Sequence, residues 1–332
     1  MNRVACLSNK DRQDLFLGTA RKMGINEAIV EKDFWVCWTL AYLFHTSPWQ
    51  GNFSFKGGTS LSKSYNLIQR FSEDIDLIID WTLLGYRKDE PWEARSMSGQ
   101  DKFNKEANER ALAFLDETFA PELRIGFSGL LGKDAEVSVD AEQNVFFYYP
   151  KSFSNNAILQ AIRLEIGPLA AWVPSENRVI KPYAAEQYPA VFSDPDTSVR
   201  TVMAKRTFWE KATILHQEAH RDENRPLPLR YSRHYYDLYQ MAKSPVKDEA
   251  FKDLLLLNEV ISFKRRFYRC PWAKYEEALP GSLLLMPPDC HVRELEKDYQ
   301  SMQSMLFGEK PTFNEIVDGI EMLEKEVNAL RN

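Results

Sequence analysis

The stretch FKGGTSLSKSYNLIQRFSEDIDL, residues 55–77, limits the possible fold more than any other part of this sequence. A short strand is expected to end at Lys56, and the Gly57-Gly58 pair that follows is typical of a turn into a helix. Residues 74–80, DIDLIID, alternate acidic and aliphatic side chains and predict a second strand. The pattern therefore places a glycine turn between two strands, the second of which begins with a pair of carboxylates.

Asp74 and Asp76 lie two positions apart on the predicted strand, so both carboxylates face the same side, with Cα atoms roughly 6.6 Å apart. Oxygen ligands of this kind favour Mg²⁺ or Mn²⁺. Glu165, within RLEIG of a later predicted strand, offers a third metal-binding carboxylate, although it could instead face solvent or pair with Arg163. An acidic pair can also simply protect an edge strand, so these residues alone do not decide the function.

The Gly57-Gly58 turn, followed by Thr59 and Ser60, is expected to bind phosphate. Free backbone N–H groups at the start of a helix attract anions, and glycines let the backbone approach a ligand closely. The two hydroxyls can donate to phosphate oxygens, although the same residues also suit an ordinary turn with a helix cap. The order of strand, glycine turn, helix and DxD strand is rarer than the glycine turn or the DxD pair alone. The order therefore indicates a nucleoside triphosphate site beside metal-binding aspartates.

The rest of the chain predicts an α+β domain followed by a purely helical one. Helices are expected in the first fifty residues and over 59–67 and 102–119, and further strands over 123–128, 135–139, 144–149 and 158–167. Prolines throughout 168–198 predict a connector with little regular structure. Later helices are expected over 199–220, 232–243, 247–268, 292–307 and 312–330. We place the domains at residues 1–197 and 198–332.

Composition narrows the functional class. A net charge of −6 over 332 residues argues against a wholly basic nucleic-acid binder, but it leaves room for a local basic groove. The cysteines are widely spaced without a CxxC pattern, which favours reduced thiols over a structural zinc site. Neither a signal peptide nor an apolar run of about 18 residues is present, so we expect a cytoplasmic protein with no membrane partner.

Two charged residues in the helical half invite a functional interpretation. Lys211 shares one face of a predicted helix with the apolar residues Ala204, Phe208 and Leu215. Its ammonium either extends to solvent along the helix surface or points into a cleft. Asp237 follows Arg233 by four residues, so it forms a surface pair of about 0.3–0.5 kcal/mol, faces the nucleotide base or ribose, or orients Lys211.

The segment SFKRRFYRC, residues 262–270, combines basic and aromatic side chains. Arginines that bind phosphates and aromatic rings that stack on unpaired bases suit an RNA end. The same composition describes an amphipathic helix with a solvated basic face, and both interpretations stay open. The candidate RNA-binding residues are Arg233, Lys264, Arg265, Arg266 and Arg269.

FKGGTSLSK and FSEDIDL resemble the first two motifs of the AbiEii-type nucleotidyltransferases, the toxins of type IV toxin–antitoxin and abortive-infection systems, which include the MenT toxins. VEKDFWVCWTL, IRLEIG, RTFWEKATILH and RYSRHYYDLY continue the likeness in family order over nearly the whole chain. The resemblance implies a DNA polymerase β-like nucleotidyltransferase domain with a mixed sheet, followed by an α-helical C-terminal domain.

The resemblance also implies transfer of a nucleoside monophosphate from an NTP, with Mg²⁺ or Mn²⁺, to the 3′ acceptor end of tRNA, which blocks translation and growth. The family's catalytic positions fall on Asp74, Asp76, Lys211 and Asp237. We assign nucleotide binding to Lys56, Gly57, Gly58, Thr59, Ser60, Lys63 and Lys211. A cognate antitoxin encoded nearby is expected, with or without direct contact.

Ser72 is a candidate control point, because a phosphate two residues before Asp74 would repel the nucleotide. Two other functions stay open: nucleotidyl transfer to a small molecule such as an aminoglycoside, and a catalytically silent regulatory binding protein. A polycationic acceptor would favour an acidic lining, whereas the helical half carries basic clusters. The intact Asp74, Asp76 and Lys211 count against the silent protein.

Overall fold

One mixed sheet of seven strands organises the first part of the computed structural model, which describes residues 1–72, 74–155, 158–169 and 173–330. The strands are β1 Phe53–Lys56, β2 Asp74–Ile79, β3 Glu136–Val139, β4 Asn144–Tyr148, β5 Ile162–Gly167, β6 Ser175–Ile180 and β7 Thr197–Val202. Their order across the sheet is β3-β4-β5-β2-β1-β7-β6. The pairs β2–β5 and β1–β7 are parallel, and the other neighbours are antiparallel. The predicted α+β class is confirmed.

The chain divides into two units, residues 1–64 with 72–202 and residues 65–71 with 203–332. The helices of the first unit are α1 Asn2–Ala5, α2 Asn9–Met23, α3 Glu27–His45, α4 Gly57–Lys63, α5 Met97–Phe114, α6 Ala120–Leu131 and α7 Tyr183–Gln187, with a π-helical turn at Leu115–Phe119. Those of the second unit are α8 Ala204–Ala219, α9 Ser232–Ala242, α10 Val246–Phe251, α11 Leu254–Phe267, α12 Asp289–Ser301 and α13 Phe313–Asn328. Short 3₁₀ turns lie at Trp81–Leu84, Glu90–Trp92, Pro189–Val191, Pro271–Ala273, Tyr275–Glu277 and Met302–Met305.

Most of the predicted elements are confirmed to within a few residues, but three predictions were wrong. The expected strand at 123–128 lies within α6, where Leu123 and Phe127, four residues apart, are buried on one helical face. The proline-rich segment 168–198 contains β6 and α7, because its prolines stand between these elements rather than within them. The helix expected from 199 begins only at Ala204, since β7 occupies the preceding residues.

Helix α3 forms the centre of the first unit's core. Asn26 caps its start by accepting a hydrogen bond from the Ala28 amide, and nearly every residue of the helix is buried. Trp35 and Trp38 pack on each other and on Phe147 of β4, with ring centroids 5.4–5.9 Å apart. Each such ring buries about 150–250 Å² when enclosed, so this contact attaches the helix firmly to the sheet.

The second unit packs helices around α8, which contacts α9, α10 and α11. The segment 65–71 belongs to this unit because its backbone pairs with the residues after α12. The Phe71 amide donates to the Met305 carbonyl at 2.8 Å, and the Phe307 amide donates to the Gln69 carbonyl at 2.9 Å. Arg70, between the two bonds, is thereby fixed in the helical unit. Among the described residues, no helix has the length and apolar character needed to cross a bilayer.

His216 of α8 is a buried neutral histidine with both ring nitrogens engaged. Its Nδ1 accepts a hydrogen bond from the Leu284 amide at 3.0 Å, which leaves Nε2–H to donate to the Lys274 carbonyl at 3.1 Å. Burial lowers the pKa of His216 to about 4, and the neighbouring His220 adds to this shift. A proton on Nδ1 would remove the acceptor for the Leu284 amide. The neutral form of His216 therefore holds the segment around Leu284 to α8.

We expect the second unit to lose stability as the pH falls from about 6.5 toward 4. The folded pKa of His216 lies below its ordinary value of 6.5, so the unfolded chain takes up the proton first. The contribution of neutral His216 to the free energy of unfolding is complete above pH 6.5. It decreases by roughly 3 kcal/mol as the pH falls to 4, at about 1.4 kcal/mol per pKa unit. Urea denaturation at a series of pH values measures this slope.

His216→Gln should flatten part of the slope, while His234, whose pKa is also lowered well below its ordinary value by desolvation, retains the rest. The wild type, denatured at the same pH values, is the reference. An unaltered slope in His216→Gln would show that this histidine does not control the pH dependence.

Candidate active site

The strand register collects charged side chains on one face of the sheet. In the parallel β2–β5 pair, Asp74 lies beside Arg163 and Asp76 lies beside Glu165. In the antiparallel β1–β2 pair, Lys56 lies opposite Asp76. Directly paired residues share a face, as do residues two apart on one strand. These charged residues therefore surround a single patch in the middle of the sheet.

Gly57 brings the turn directly against this patch. Its φ is +77°, and a Cβ at this position would stand 1.9 Å from Oδ2 and 2.5 Å from Cγ of Asp76. A side chain here would need both a left-handed backbone and the space that the carboxylate occupies. The structure therefore requires glycine at position 57. The glycine turn and the DxD pair, which the sequence predicted to be neighbours, are in contact.

Thr59 and Ser60 hold the turn in place. The Thr59 hydroxyl donates to the Asp74 carbonyl, and the Ser60 hydroxyl donates to the Gly57 carbonyl at 2.8 Å. Both side chains are buried, at 3% and 0% exposure, and each hydroxyl has only one proton to donate. In this conformation their protons bind backbone oxygens rather than face a ligand. The half-exposed backbone of Gly57 and Gly58 is the part of the turn that is open to an anion.

Lys63 does not reach the turn. It lies at the opposite end of α4, where its Nζ is 2.7 Å from Oδ1 of Asp33 on α3 and 3.9 Å from the centre of the Tyr183 ring. Burial opposes its charge, but Asp33 outweighs burial and raises the pKa of Lys63. The structure gives Lys63 a role in fixing α4 to α3, instead of the contact with the nucleotide that the sequence suggested.

Arg163 links two of the predicted metal-binding carboxylates. Its Nε donates to Oδ1 of Asp74 at 2.7 Å, its Nη2 bonds the other Asp74 oxygen, and Nη2 also lies 2.9 Å from Oε1 of Glu165. The predicted alternative in which Glu165 pairs with Arg163 is confirmed. The Asp74 contact was missed, because nothing in the sequence gives the register between β2 and β5.

The donor chemistry of Asp74, Asp76 and Glu165 fits a hard divalent cation, since carboxylates on one face of two adjacent strands are the ligands that Mg²⁺ and Mn²⁺ prefer. Within the described residues, no three Asp, Glu, His or Cys side chains lie close enough together to hold a metal ion. The guanidinium of Arg163 explains the arrangement, because it lies between Asp74 and Glu165 and bonds to both.

A second charged cluster lies inside the helical unit. Arg70 binds both oxygens of Asp237, at 2.7 and 2.8 Å, and Lys211 Nζ lies 2.7 Å from Oδ2 of the same carboxylate. Asp237 has 0% exposure, and the Lys211 side chain has 7%. Against the cost of burial, Arg70 and Lys211 hold the pKa of Asp237 well below its usual range. Arg70 and Lys211 thus bind the same carboxylate from two directions.

This cluster corrects two interpretations of the sequence. Lys211 is buried along the predicted stripe and does not extend its ammonium to solvent; burial lowers its pKa. Asp237 is fully buried with Lys211, so the surface pair with Arg233 is wrong and the predicted contact with Lys211 is present. Sequence reasoning missed Arg70, whose partner lies 167 residues away, beyond any local spacing signal.

The basic segment 262–270 buries two of its three aromatic rings and leaves its charged side chains half-buried or exposed. Phe263 and Phe267 are buried and pack on each other with centroids 4.6 Å apart, which leaves Tyr268, 50% exposed, as the ring open to a base. The candidate RNA-binding side chains are exposed at Arg265 and Arg269 and half-buried at Arg233, Lys264 and Arg266. Ser72 is half-buried, two residues before β2.

Comparison with known families now decides the class of this protein. The family described as "Nucleotidyl transferase AbiEii toxin, Type IV TA system" matches residues 39–319. The chain belongs to this family. It is therefore a nucleotidyltransferase and a toxin of the type IV toxin–antitoxin class, as the resemblance in its motifs predicted.

Among solved structures, the chain is similar to MenT4, a nucleotidyltransferase toxin from Mycobacterium tuberculosis H37Rv. The identity is 17% and the TM-score is 0.48, with 98% of this chain and 94% of that chain covered. No match is found among curated proteins.

We expect Gly57→Ala to lower the melting temperature and to abolish nucleotidyl transfer. The substitution places a methyl group against the Asp76 carboxylate and forces a non-glycine residue to positive φ, at a cost above about 1 kcal/mol. Thermal melting and transfer from a labelled NTP measure the two effects. Gly129→Ala is the control, because a Cβ there meets nothing within 4 Å and lies in α6. Full activity in Gly57→Ala would contradict the close approach.

Asp237→Asn should destabilise the second unit by about 3–5 kcal/mol, because it leaves Arg70 and Lys211 as two adjacent buried cations. Lys211→Met should cost far less, since Arg70 still compensates Asp237 through two hydrogen bonds. Chemical denaturation of both variants measures the difference. Equal losses of stability would mean that Lys211, and not only Arg70, is needed to keep the carboxylate buried.

Proposed function

We propose that this protein transfers a nucleoside monophosphate from an NTP to the 3′ acceptor end of tRNA in the cytoplasm, and so blocks translation. One observation carries the proposal: the Asp76 carboxylate lies against the Gly57 turn and beside Glu165. This arrangement places anionic ligands for a cation next to an exposed backbone suited to phosphate. Membership of a nucleotidyltransferase toxin family supports the reaction class.

Asp74, Asp76 and Glu165 are the residues that would hold Mg²⁺ or Mn²⁺. When bound, a divalent ion lowers the pKa of the attacking hydroxyl and neutralises negative charge on the departing pyrophosphate. The protein contributes the positions of these carboxylates, which are set by β2 and β5 and do not depend on a flexible loop.

The remaining residues of the first unit bind and orient the nucleotide. The backbone N–H groups of Gly57 and Gly58 donate to triphosphate oxygens, which suits a turn without side chains. Thr59 and Ser60 keep the turn in shape through their bonds to backbone carbonyls. Lys56, on the same sheet face as Asp76, adds positive charge beside the phosphates. A rigid turn with fixed donors lowers the entropy that the nucleotide loses on alignment.

In the helical unit, Lys211 is the proposed catalytic cation. Asp237 holds its ammonium at 2.7 Å, and Arg70 binds the same carboxylate. A nearly buried ammonium interacts strongly with a phosphate group, because its charge is poorly screened by water. Asp237 acts through Lys211, by fixing its position and protonation.

The choice of an RNA acceptor rests on the basic end of α11. Arg265, Arg269 and the ring of Tyr268 are exposed, and such side chains suit phosphate contacts and the stacking of an unpaired base. Lys264, Arg266 and Arg233 are half-buried and are further candidates for phosphate contacts. A polycationic acceptor such as an aminoglycoside would be repelled by this surface.

The cognate antitoxin is proposed to act with or without direct contact, and Ser72 is the position where a phosphate would interfere with the nucleotide. A phosphoryl group adds about −1.5 to −2 charge two residues before Asp74. Mass spectrometry of the toxin co-expressed with its antitoxin tests this point. An unmodified Ser72 under conditions that silence the toxin would eliminate it as the control site.

The direct test incubates the protein with each α-labelled NTP and total tRNA, then sequences the labelled 3′ ends. We expect one NTP to label a subset of tRNAs, and Asp76→Asn to abolish labelling without loss of fold. Asp116→Asn is the charge-matched control at an exposed position and should label as the wild type does. Labelling of an aminoglycoside but not of tRNA, or full activity in Asp76→Asn, would contradict the proposal.

A further inference from the structure

The position of Arg163 raises a question that the proposed reaction leaves open. Its guanidinium makes a two-point contact with Asp74 and a further ion pair with Glu165. These are two of the carboxylates proposed to hold a divalent cation. An arginine therefore already neutralises the oxygens to which a metal ion would bind.

The register of the sheet favours this contact. Asp74 and Arg163 are direct neighbours in the parallel β2–β5 pair, and Glu165 lies two residues further along the same face. Asp74 has 8% exposure, so its carboxylate needs a compensating charge when no ion is bound. A planar guanidinium with several donors can serve two carboxylates at once, which a lysine ammonium does less well.

A divalent ion and the guanidinium compete for the same oxygens. Two cations repel each other strongly at contact distance. A carboxylate oxygen that already accepts hydrogen bonds from a guanidinium is also a poorer metal ligand. The Arg163 side chain is 32% exposed, compared with 12% for the side chain of Asp74, so part of the arginine already contacts solvent. The arginine can release the carboxylates without any change in the buried face of β5.

We propose that Arg163 is an internal counter-cation that occupies the carboxylate site of the metal-free toxin and sets the divalent-ion concentration at which the site fills. The inference rests on the proposed function, because it requires Asp74 and Glu165 to be metal ligands. Arg163 weakens metal binding while it neutralises the nearly buried Asp74 and the partly exposed Glu165. It acts on the metal-binding step and not on the transferred phosphate.

The test measures Mn²⁺ binding at neutral pH by electron paramagnetic resonance, without any nucleotide. We expect Arg163→Gln to bind Mn²⁺ about tenfold more tightly than the wild type, since a competing charge is gone. Arg163→Lys, which keeps the charge but loses the fork, should fall between the two. Arg87→Gln removes the same charge at a residue whose side chain is 77% exposed and should bind as the wild type does.

The possible outcomes separate this inference from the function on which it rests. If Asp74→Asn abolishes Mn²⁺ binding while Arg163→Gln and the wild type bind equally, the metal site stands and the counter-cation is wrong. If neither the wild type nor Arg163→Gln shows binding that depends on Asp74, the proposed metal ligands fail as well. Circular dichroism verifies that each variant folds. If Arg163→Gln does not fold, an Mn²⁺ affinity of Arg163→Lys equal to that of the wild type overturns the inference.

Discussion

The hydrogen-bond register between β2 and β5 determines which charges meet at the candidate active site. It pairs Asp76 with Glu165 and Asp74 with Arg163 on one face, while the alternate residues of both strands enter the core. A slip of β2 by one residue would turn Asp74 and Asp76 toward the apolar side. The aliphatic residues that fix the register thereby also fix the site, so stability and chemistry depend on the same strands.

Charge compensation is the common principle of both clusters. Asp74 is stabilised by one guanidinium and Asp237 by a guanidinium and an ammonium, in each case with little access to water. Buried carboxylates require such partners, because desolvation of an unpaired charge costs several kcal/mol. The clusters differ in composition: three carboxylates stand around Arg163 in the first, whereas two cations stand around one carboxylate in the second.

The sequence predicted the local features well and the long-range ones poorly. The glycine turn and the DxD strand were predictable, because turn chemistry and alternation act over a few residues. The partners of Asp74 and Asp237 were not, because Arg163 and Arg70 are distant in sequence and meet them only through tertiary packing. For the same reason Lys63 was assigned to the nucleotide, although Asp33 of another helix holds it.

The central claim is that the carboxylates of β2 and β5 and the adjoining glycine turn form one nucleotide site. A crystal structure with Mn²⁺ and a non-hydrolysable NTP analogue, located by the anomalous signal of the metal, tests it most directly. We expect Asp74 and Asp76 to coordinate Mn²⁺, Arg163 to be displaced, and the backbone N–H groups of Gly57 and Gly58 to donate to triphosphate oxygens. Metal and triphosphate bound elsewhere, with the Arg163 ion pairs intact, would contradict it.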